Sequence, residues 1–191
     1  YFEICEIYNR MRQAVIETAR KNTDAVFAGY THMQPSEPIT FAHYCSAVLN
    51  AMQRDFRRIS LAFEGLNVCP LGAGSMGSTT WNIDRNYTAK LLGFDAPIDN
   101  SIDSVASRDF ATDILSALSI AANTLSRFCQ DLYVWASPDF GYIEVSDSCA
   151  VCSSIMPQKK NPWVLEHIKS KAAHVEGCYM SALNVMKNVI Y

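Results

Sequence analysis

FATDILSALSIAANTLSRFCQDL, residues 110–132 of this 191-residue chain, is the stretch that decides the fold. Its apolar side chains recur at steps of three and four residues, at Phe110, Ile114, Leu118, Ala121, Leu125, Phe128 and Leu132. That spacing places them on one face of an α-helix. Because neither Pro nor Gly interrupts the run, the stretch predicts one long helix with a single apolar stripe.

Two further stretches repeat this pattern. The first has apolar residues at Phe41, Cys45, Val48, Met52, Phe56, Ile59 and Phe63, and the second at Leu165, Ile168, Ala172, Val175, Tyr179, Leu183, Met186 and Ile190. A first helix is expected from Phe2 to about Val26. Helices of about 28 residues are roughly 40 Å long and need partners of similar length. We therefore expect an all-α fold, an elongated bundle of long helices over residues 1–191 that is shared between subunits. The segment Tyr142–Val145 is the one candidate for a short extended piece.

Composition narrows the function classes. The chain is 49% hydrophobic and 18% charged, which is typical of a globular domain. A net charge of −3 without a basic run argues against nucleic acid as a partner. No apolar stretch is long enough to cross a bilayer and no signal peptide is seen, so we expect no membrane association. Seven scattered cysteines are typical of a cytoplasmic protein with buried thiols.

Breakers cluster in three places, 29–38, 70–80 and 147–162. The last of these contains SSIMPQKKNP, residues 153–162. Asn161 followed by Pro162 predicts a helix start, with Asn161 as N-cap and Pro162 at the first helical position. The positive end of that helix, two hydroxyls and the Lys159 and Lys160 side chains together suit a bound carboxylate. An ordinary capped loop with solvated lysines fits these residues equally well.

Residues 153–162 resemble, almost position by position, the signature loop of the fumarase/aspartase superfamily. Segments 67–97 and 107–110, with SPDFG at 137–141, are similar to its argininosuccinate lyase branch. The resemblance implies an all-α fold of three domains in a homotetramer. It also implies that this chain, which opens without Met, is the central helical-bundle domain of a longer protein.

The same resemblance implies the chemistry, a reversible β-elimination that breaks a C–N bond and leaves fumarate, with arginine as the other product. The base would be Ser153, activated by Lys159 and the following helix start, and Asn161 would contact the substrate. A carbon acid beside a carboxylate is very weak, so the developing charge needs strong stabilisation. No metal and no organic cofactor is implied, and the partner would be a small-molecule substrate.

Residues 29–35, GYTHMQP, resemble the Thr-His segment of the family. Thr31 and Gln34 would bind the substrate, and His32 would assist proton transfer or orient the leaving amine. Glu166 would pair with the histidine of another subunit and set its basicity. Arg108 would bind a substrate carboxylate, although a salt bridge to Asp109 or Asp103 is an equal alternative. The other histidines match no catalytic position and are interpreted as structural.

The chain departs from the family pattern beside the loop. Cys152 stands where Gly is usual and is expected to restrict the backbone, and Trp163 replaces the Asp common in argininosuccinate lyases. These changes leave open another N-substituted aspartate as substrate, and a catalytically silent structural homologue is a further alternative.

Two look-alike motifs are set aside. The glycine pattern at 72–77 lacks a predicted strand before it, and the Cys149–Cys152 pair lacks further zinc ligands.

Overall fold

The computed structural model describes all residues 1–191 and is mostly helical, as the apolar stripes predict. Its helices are α1 (Phe2–Lys21), α2 (Phe41–Leu61), α3 (Phe63–Leu66), α4 (Arg85–Leu92), α5 (Ser101–Ala106), α6 (Asp109–Trp135) and α7 (Trp163–Met186). Its strands are β1 (Val26–Thr31), β2 (Gln34–Thr40), β3 (Val68–Cys69), β4 (Ala96–Pro97), β5 (Val151–Cys152) and β6 (Lys160–Asn161). The strands form three separate two-stranded sheets.

The long helices pack in series, with α1 against α2, α2 against α6 and α6 against α7. Their core is a cluster of buried side chains from α1, α2 and α6, namely Tyr8, Val15, Cys45, Met52, Ile59, Ala117 and Ala121. Four of these seven belong to the stripes read from the sequence, so the predicted faces are the packed ones. Thr40 caps α2, because its Oγ1 accepts a hydrogen bond of 3.1 Å from the His43 amide.

Much of the apolar surface is left uncovered within one chain. Only 17 of 191 residues are buried, and several large apolar side chains of α7 are exposed to solvent. Ile168 and Leu183 belong to the predicted stripe and are each 37% exposed. Contact with α6 therefore covers only part of the apolar stripe of α7.

The first predicted helix is too long. It ends at Lys21 rather than Val26, because Asn22 leaves helical geometry and its side-chain amide donates to the Thr18 carbonyl at 2.8 Å. The chain then forms an antiparallel hairpin of β1 and β2, with Phe27 opposite Ile39 and Thr31 opposite Gln34. Pro35 and Pro38 are typical of a break rather than of a strand, so β2 shows no strand pattern in the sequence. Proline is tolerated in a strand where its missing N–H needs no partner.

Three smaller expectations are also corrected. The segment Tyr142–Val145 forms no strand. Helix α7 ends at Met186, not Ile190, and its N-cap is Pro162 rather than Asn161. Asn161 instead lies in β6, where it pairs with Val151. Asn161 therefore forms part of the β5–β6 ladder instead of the N-cap of α7 that the Asn-Pro sequence predicts.

The glycine-rich stretch 72–77 is preceded by a short strand after all. β3 pairs in parallel with β4, and α4 lies between them in the chain. However, α4 begins only at Arg85, so the glycines do not form a helix N-terminus as a dinucleotide site requires. The stretch is also closely packed, because a Cβ on Gly74 would lie 2.5 Å from the Ser78 carbonyl oxygen.

Candidate active site

The loop 153–159 is closed at its base by backbone hydrogen bonds. Val151 pairs with Asn161 and Cys152 with Lys160 in the β5–β6 ladder. One step further in, the Ser153 amide donates to the Lys159 carbonyl at 3.2 Å, and the Lys159 amide donates to the Met156 carbonyl at 3.0 Å. The loop therefore starts and ends at one fixed point, directly before α7.

Ser153 lies half-buried at this point, with its hydroxyl turned towards the loop backbone. Its Oγ accepts long hydrogen bonds of 3.4 Å from the amides of Ile155 and Met156. Two N–H groups aimed at one oxygen favour negative charge on that oxygen. No side-chain base contacts Ser153, so any activation of its hydroxyl within this chain comes from the backbone and from nearby positive charge.

The two lysines of the loop differ in their contacts. The Lys160 ammonium pairs with Asp147 at 2.7 Å and with Glu144 at 3.1 Å. The hydrogen bond that Lys160 donates to Asp147, followed by the one that it donates to Glu144, raises the pKa of Lys160, and the contact with Lys160 lowers the pKa of Asp147. Lys159 is exposed and forms no ion pair. Lys160 thus holds the loop to the preceding segment, and Lys159 is the lysine available to an anion.

A cleft of about 470 Å³ lies between this loop and the end of α6. It is lined by Lys159, Asn161 and Pro162 on one side and by Tyr133, Ser137 and Glu144 on the other. The N-terminus of α7 begins at its edge, so the positive end of the helix dipole adds to the Lys159 charge. The arrangement suits a small anionic ligand.

The Thr-His segment forms the tip of the β1–β2 hairpin. His32 and Met33 have φ of 53° and 59°, and Thr31 pairs with Gln34, so the two central residues form a tight turn of the type I′ class. Thr31, His32 and Gln34 are all exposed. Thr31 and His32 line a second cleft of about 520 Å³. In that cleft the Tyr44 hydroxyl donates to Asp131 at 2.6 Å, and burial followed by this bond raises the pKa of Tyr44.

The remaining two predicted residues, Glu166 and Arg108, lie at the starts of α7 and α6. Glu166, in the first turn of α7, accepts a hydrogen bond of 3.1 Å from the Tyr133 hydroxyl. Arg108 occupies the N-cap position of α6 without a side-chain capping hydrogen bond, and its guanidinium donates to the carbonyls of Val105 and Ser107 at 2.8 and 2.6 Å. The alternative salt bridge from Arg108 to Asp109 or Asp103 is absent.

One chain therefore assembles only part of the predicted site. Ser153, Lys159, Asn161 and Glu166 belong to the loop and the start of α7, whereas Thr31, His32 and Gln34 lie at the hairpin. No hydrogen bond or ion pair joins these two groups to each other or to Arg108. Tyr133, which lines the cleft and contacts Glu166, was not among the predicted site residues. Its position next to Leu132, at the edge of the apolar stripe of α6, is the only sequence feature that indicates that it faces α7.

The two departures from the family pattern have plain structural outcomes. Cys152 lies in β5 and not at positive φ, so this conformation does not require glycine at the position. The restriction of loop motion by its side chain stays a prediction. Trp163 is the first residue of α7 and is half-exposed. Its ring stacks on His167 with centroids 5.1 Å apart. Trp163 therefore adds an aromatic surface where a shorter acidic side chain would leave space.

Three further features bear on the class of protein: metal-ligand groups, cysteines and the character of the helices. No group of three or more His, Cys, Asp or Glu side chains is placed to hold a metal ion. All seven cysteines are free, including Cys149 and Cys152. The helices include none with the length and apolar character needed to span a bilayer.

Comparison with known proteins gives a consistent result. The family model described as "Lyase" matches residues 2–177. Argininosuccinate lyase 1 of Shouchella clausii is 53% identical over 99% of this chain, which covers 38% of that protein. Argininosuccinate lyase of Acetivibrio thermocellus is 43% identical over 98% of the chain and 41% of that protein. The chain thus spans about two-fifths of the length of these relatives.

Solved structures agree on the fold. EDDS lyase in complex with formate superposes with a TM-score of 0.95 at 32% identity, over 98% of this chain and 38% of that one. Class II fumarase from Schistosoma mansoni has a TM-score of 0.82 over 98% of this chain and 44% of its own, but only 17% identity, so it supports the fold alone.

Proposed function

We propose, because the chain belongs to this lyase family of the fumarase/aspartase superfamily, that the complete protein carrying it is a carbon–nitrogen lyase that cleaves argininosuccinate into arginine and fumarate. The observation that carries the proposal is the 53% identity to an argininosuccinate lyase along 99% of the chain. Within that protein the 191 residues would be the central helical-bundle domain.

In the proposed reaction Ser153 is the base. Its alkoxide, stabilised by the amides of Ile155 and Met156, takes a proton from the carbon next to a substrate carboxylate. The electron pair moves into that carboxylate as an aci-carboxylate, which Lys159 and the α7 N-terminus stabilise. The C–N bond then breaks, the amine leaves with a proton, and fumarate remains.

The proposal assigns Thr31, Gln34, Asn161 and Arg108 to binding the substrate and His32 to the leaving amine. Since these residues lie at separate places on one chain, we propose that several copies complete each site in a homotetramer, with Glu166 facing a partner copy's histidine. The exposed apolar residues of α7 support such packing of helices between copies. We place the enzyme in the cytoplasm, which the scattered free thiols support.

A second candidate substrate is another N-substituted aspartate. Cys152 directly precedes the proposed base and Trp163 begins the helix after the loop, and both differ from the residues usual in argininosuccinate lyases. The similarity to EDDS lyase, a related carbon–nitrogen lyase, at 32% identity supports this candidate, although less strongly than the 53% identity supports argininosuccinate. Both candidates share the proton abstraction and the fumarate product, and differ only in the amine.

The test is fumarate release from argininosuccinate by the complete protein, followed by ultraviolet absorbance. We expect turnover that is lost in Ser153→Ala and largely kept in the matched control Ser154→Ala. Turnover only with other N-substituted aspartates would favour the second candidate. A folded tetramer without activity on any of them would contradict the proposal and identify the chain as a silent structural homologue.

A further inference from the structure

Tyr133 links α6 to the start of α7 through a single polar contact. Its hydroxyl donates to Oε1 of Glu166 at 3.1 Å, and this hydrogen bond raises the pKa of Tyr133. It is the only hydrogen bond that Glu166 receives from another side chain. Glu166 is exposed, and its second carboxylate oxygen accepts no hydrogen bond from another side chain of this chain.

The ring of Tyr133 is itself held in place. The Lys169 ammonium lies 4.8 Å from the ring centroid, and the same ammonium donates to the Gln130 side chain. Gln130 is one turn before Tyr133 on α6, and Lys169 is one turn after Glu166 on α7. A cation over the ring face and a bond across the helices together limit the rotation of the tyrosine. The hydroxyl is therefore aimed at Glu166 by contacts that do not involve Glu166.

We propose that Tyr133 is a positioning residue for the lyase reaction, which fixes the Glu166 carboxylate so that its free oxygen receives the histidine N–H of a partner copy. This inference rests on the proposed function, in which Glu166 orients His32 of another subunit. A carboxylate with one oxygen already bonded has one preferred direction left for the imidazole, as in other sites where outer contacts orient a functional group.

The hydrogen bond from Tyr133 also reduces the negative charge on the Glu166 carboxylate that would contact the histidine of a partner copy. A donor on Oε1 draws negative charge from Glu166, so the carboxylate stabilises an imidazolium less than a bare carboxylate would. The other charged groups near this end of α7 are Lys169 beside the ring and, in the cleft that Tyr133 lines, Glu144, Lys159 and Lys160. All of these remain when only the hydroxyl is removed.

The experiment is Tyr133→Phe in the complete protein, assayed by fumarate release across pH. The change keeps the ring and its contact with Lys169, so the fold is expected to be retained. We expect kcat to fall roughly tenfold to a hundredfold, by analogy with the loss of other outer contacts, with KM changed less than about twofold. The limb of the kcat/KM profile that reports the histidine should move to higher pH. Tyr179→Phe, on α7 and without a hydrogen bond, is the matched control.

A double variant separates this role from a structural one. If Tyr133 acts through Glu166, then Tyr133→Phe should add little in a Glu166→Gln background. An active wild type with an unchanged Tyr133→Phe rate and pH profile would overturn this inference alone, as would an undiminished effect in the double variant. A wild type without lyase activity would overturn the proposed function and this inference with it.

Discussion

The Tyr8 hydroxyl donates a hydrogen bond of 3.3 Å to the Asp55 carboxylate, which is 2% exposed in the core between α1 and α2. The other oxygen of Asp55 pairs with Arg58 at 2.9 Å. A buried carboxylate keeps its charge only while its oxygens have donors. The joint of α1 and α2 thus depends on a polar pair within an apolar cluster.

Removal of the Tyr8 hydroxyl is expected to destabilise this joint. Tyr8→Phe leaves one Asp55 oxygen without its donor, so the free energy of unfolding should fall by about 1–3 kcal/mol. Urea unfolding followed by circular dichroism measures the change. Tyr87→Phe is the control, because Tyr87 is 61% exposed and its hydroxyl has no partner; equal losses in both variants would contradict the prediction.

Alkaline pH should weaken the fold through two tyrosines. Burial, with Asp55 next, raises the pKa of Tyr8, and burial, with Asp131 next, raises that of Tyr44. The folded state therefore keeps these protons after the unfolded state has lost them. Their contribution is complete below about pH 10, the ordinary tyrosine pKa, and is lost as pH rises beyond it. Unfolding free energies measured from pH 8 to 11 should fall less steeply in Tyr8→Phe than in the wild type.

The hairpin tip carries strain that one substitution can relieve. Met33 is 62% exposed and has φ of 59°, a region that side chains with a Cβ rarely occupy. Met33→Gly should raise the free energy of unfolding by roughly 0.5–1 kcal/mol, the relieved strain less the extra entropy of the unfolded chain. Met76→Gly, at an exposed loop position without positive φ, should give no gain. A loss of stability in Met33→Gly would show that the methionine makes contacts worth more than the strain.

The helical frame could be predicted because its signal is local. The stripe from Phe110 to Leu132 fixes α6 to within a few residues, and Cys45, Met52 and Ile59 are found in the core as their spacing predicts. The hairpin could not be predicted from either strand alone. β1 contains the strand-favouring Val26, Phe27 and Tyr30, whereas β2 contains two prolines and no regular alternation. Pro35 and Pro38 read as breakers, and only the partner strand makes them part of β2.

The candidate site could be predicted only in part, because its geometry also depends on contacts between residues that are distant in the sequence. Motif likeness indicates Ser153 and His32, but no local pattern states that Ser153 lies at the base of the 153–159 loop while His32 lies at the tip of the β1–β2 hairpin. Asn161 was assigned to a helix cap because Asn before Pro favours one, and its pairing with Val151 overrides that preference. The catalytic roles stay predictions, because this chain alone does not bring all the predicted residues together.

Six of the seven thiols should fall into two classes by burial, with the half-buried Cys5 between them. Cys149, Cys152 and Cys178 are exposed, whereas Cys45, Cys69 and Cys129 are buried. Burial also raises the pKa of Cys45 and of Cys129, which lowers their thiolate fraction at neutral pH. Brief treatment of this chain with iodoacetamide, followed by peptide mass spectrometry, should label the exposed three first and the buried three only after unfolding. Early labelling of Cys45 would show that α1 and α2 separate readily.

The ion pairs of Lys160 should hold the loop over a defined pH window. The contribution of Asp147, whose pKa is lowered, is present above about pH 4 and is lost as pH falls through its folded value. That of Lys160, whose pKa is raised, is present below about pH 10 and is lost as pH rises through its folded value. At neutral pH and low salt, Lys160→Gln should therefore speed hydrogen exchange at the Ser153 amide.

Salt and a neighbouring lysine provide the controls. In about 1 M salt the wild-type exchange rate should approach that of Lys160→Gln, because exposed ion pairs are screened. Lys159→Gln should exchange like the wild type, since Lys159 has no ion pair. Equal rates in wild type and Lys160→Gln at low salt would mean that the β5–β6 ladder alone holds the loop.

The closed base of the 153–159 loop also bears on how its length can vary among related sequences. Because β5 and β6 fix the two ends, extra residues at the tip would add only closure entropy, about 0.6 kcal/mol for each doubling of loop length. Insertions and deletions there would be nearly neutral for folding. If the length of this loop is nevertheless held constant over evolution, selection for catalysis rather than for stability must be the reason.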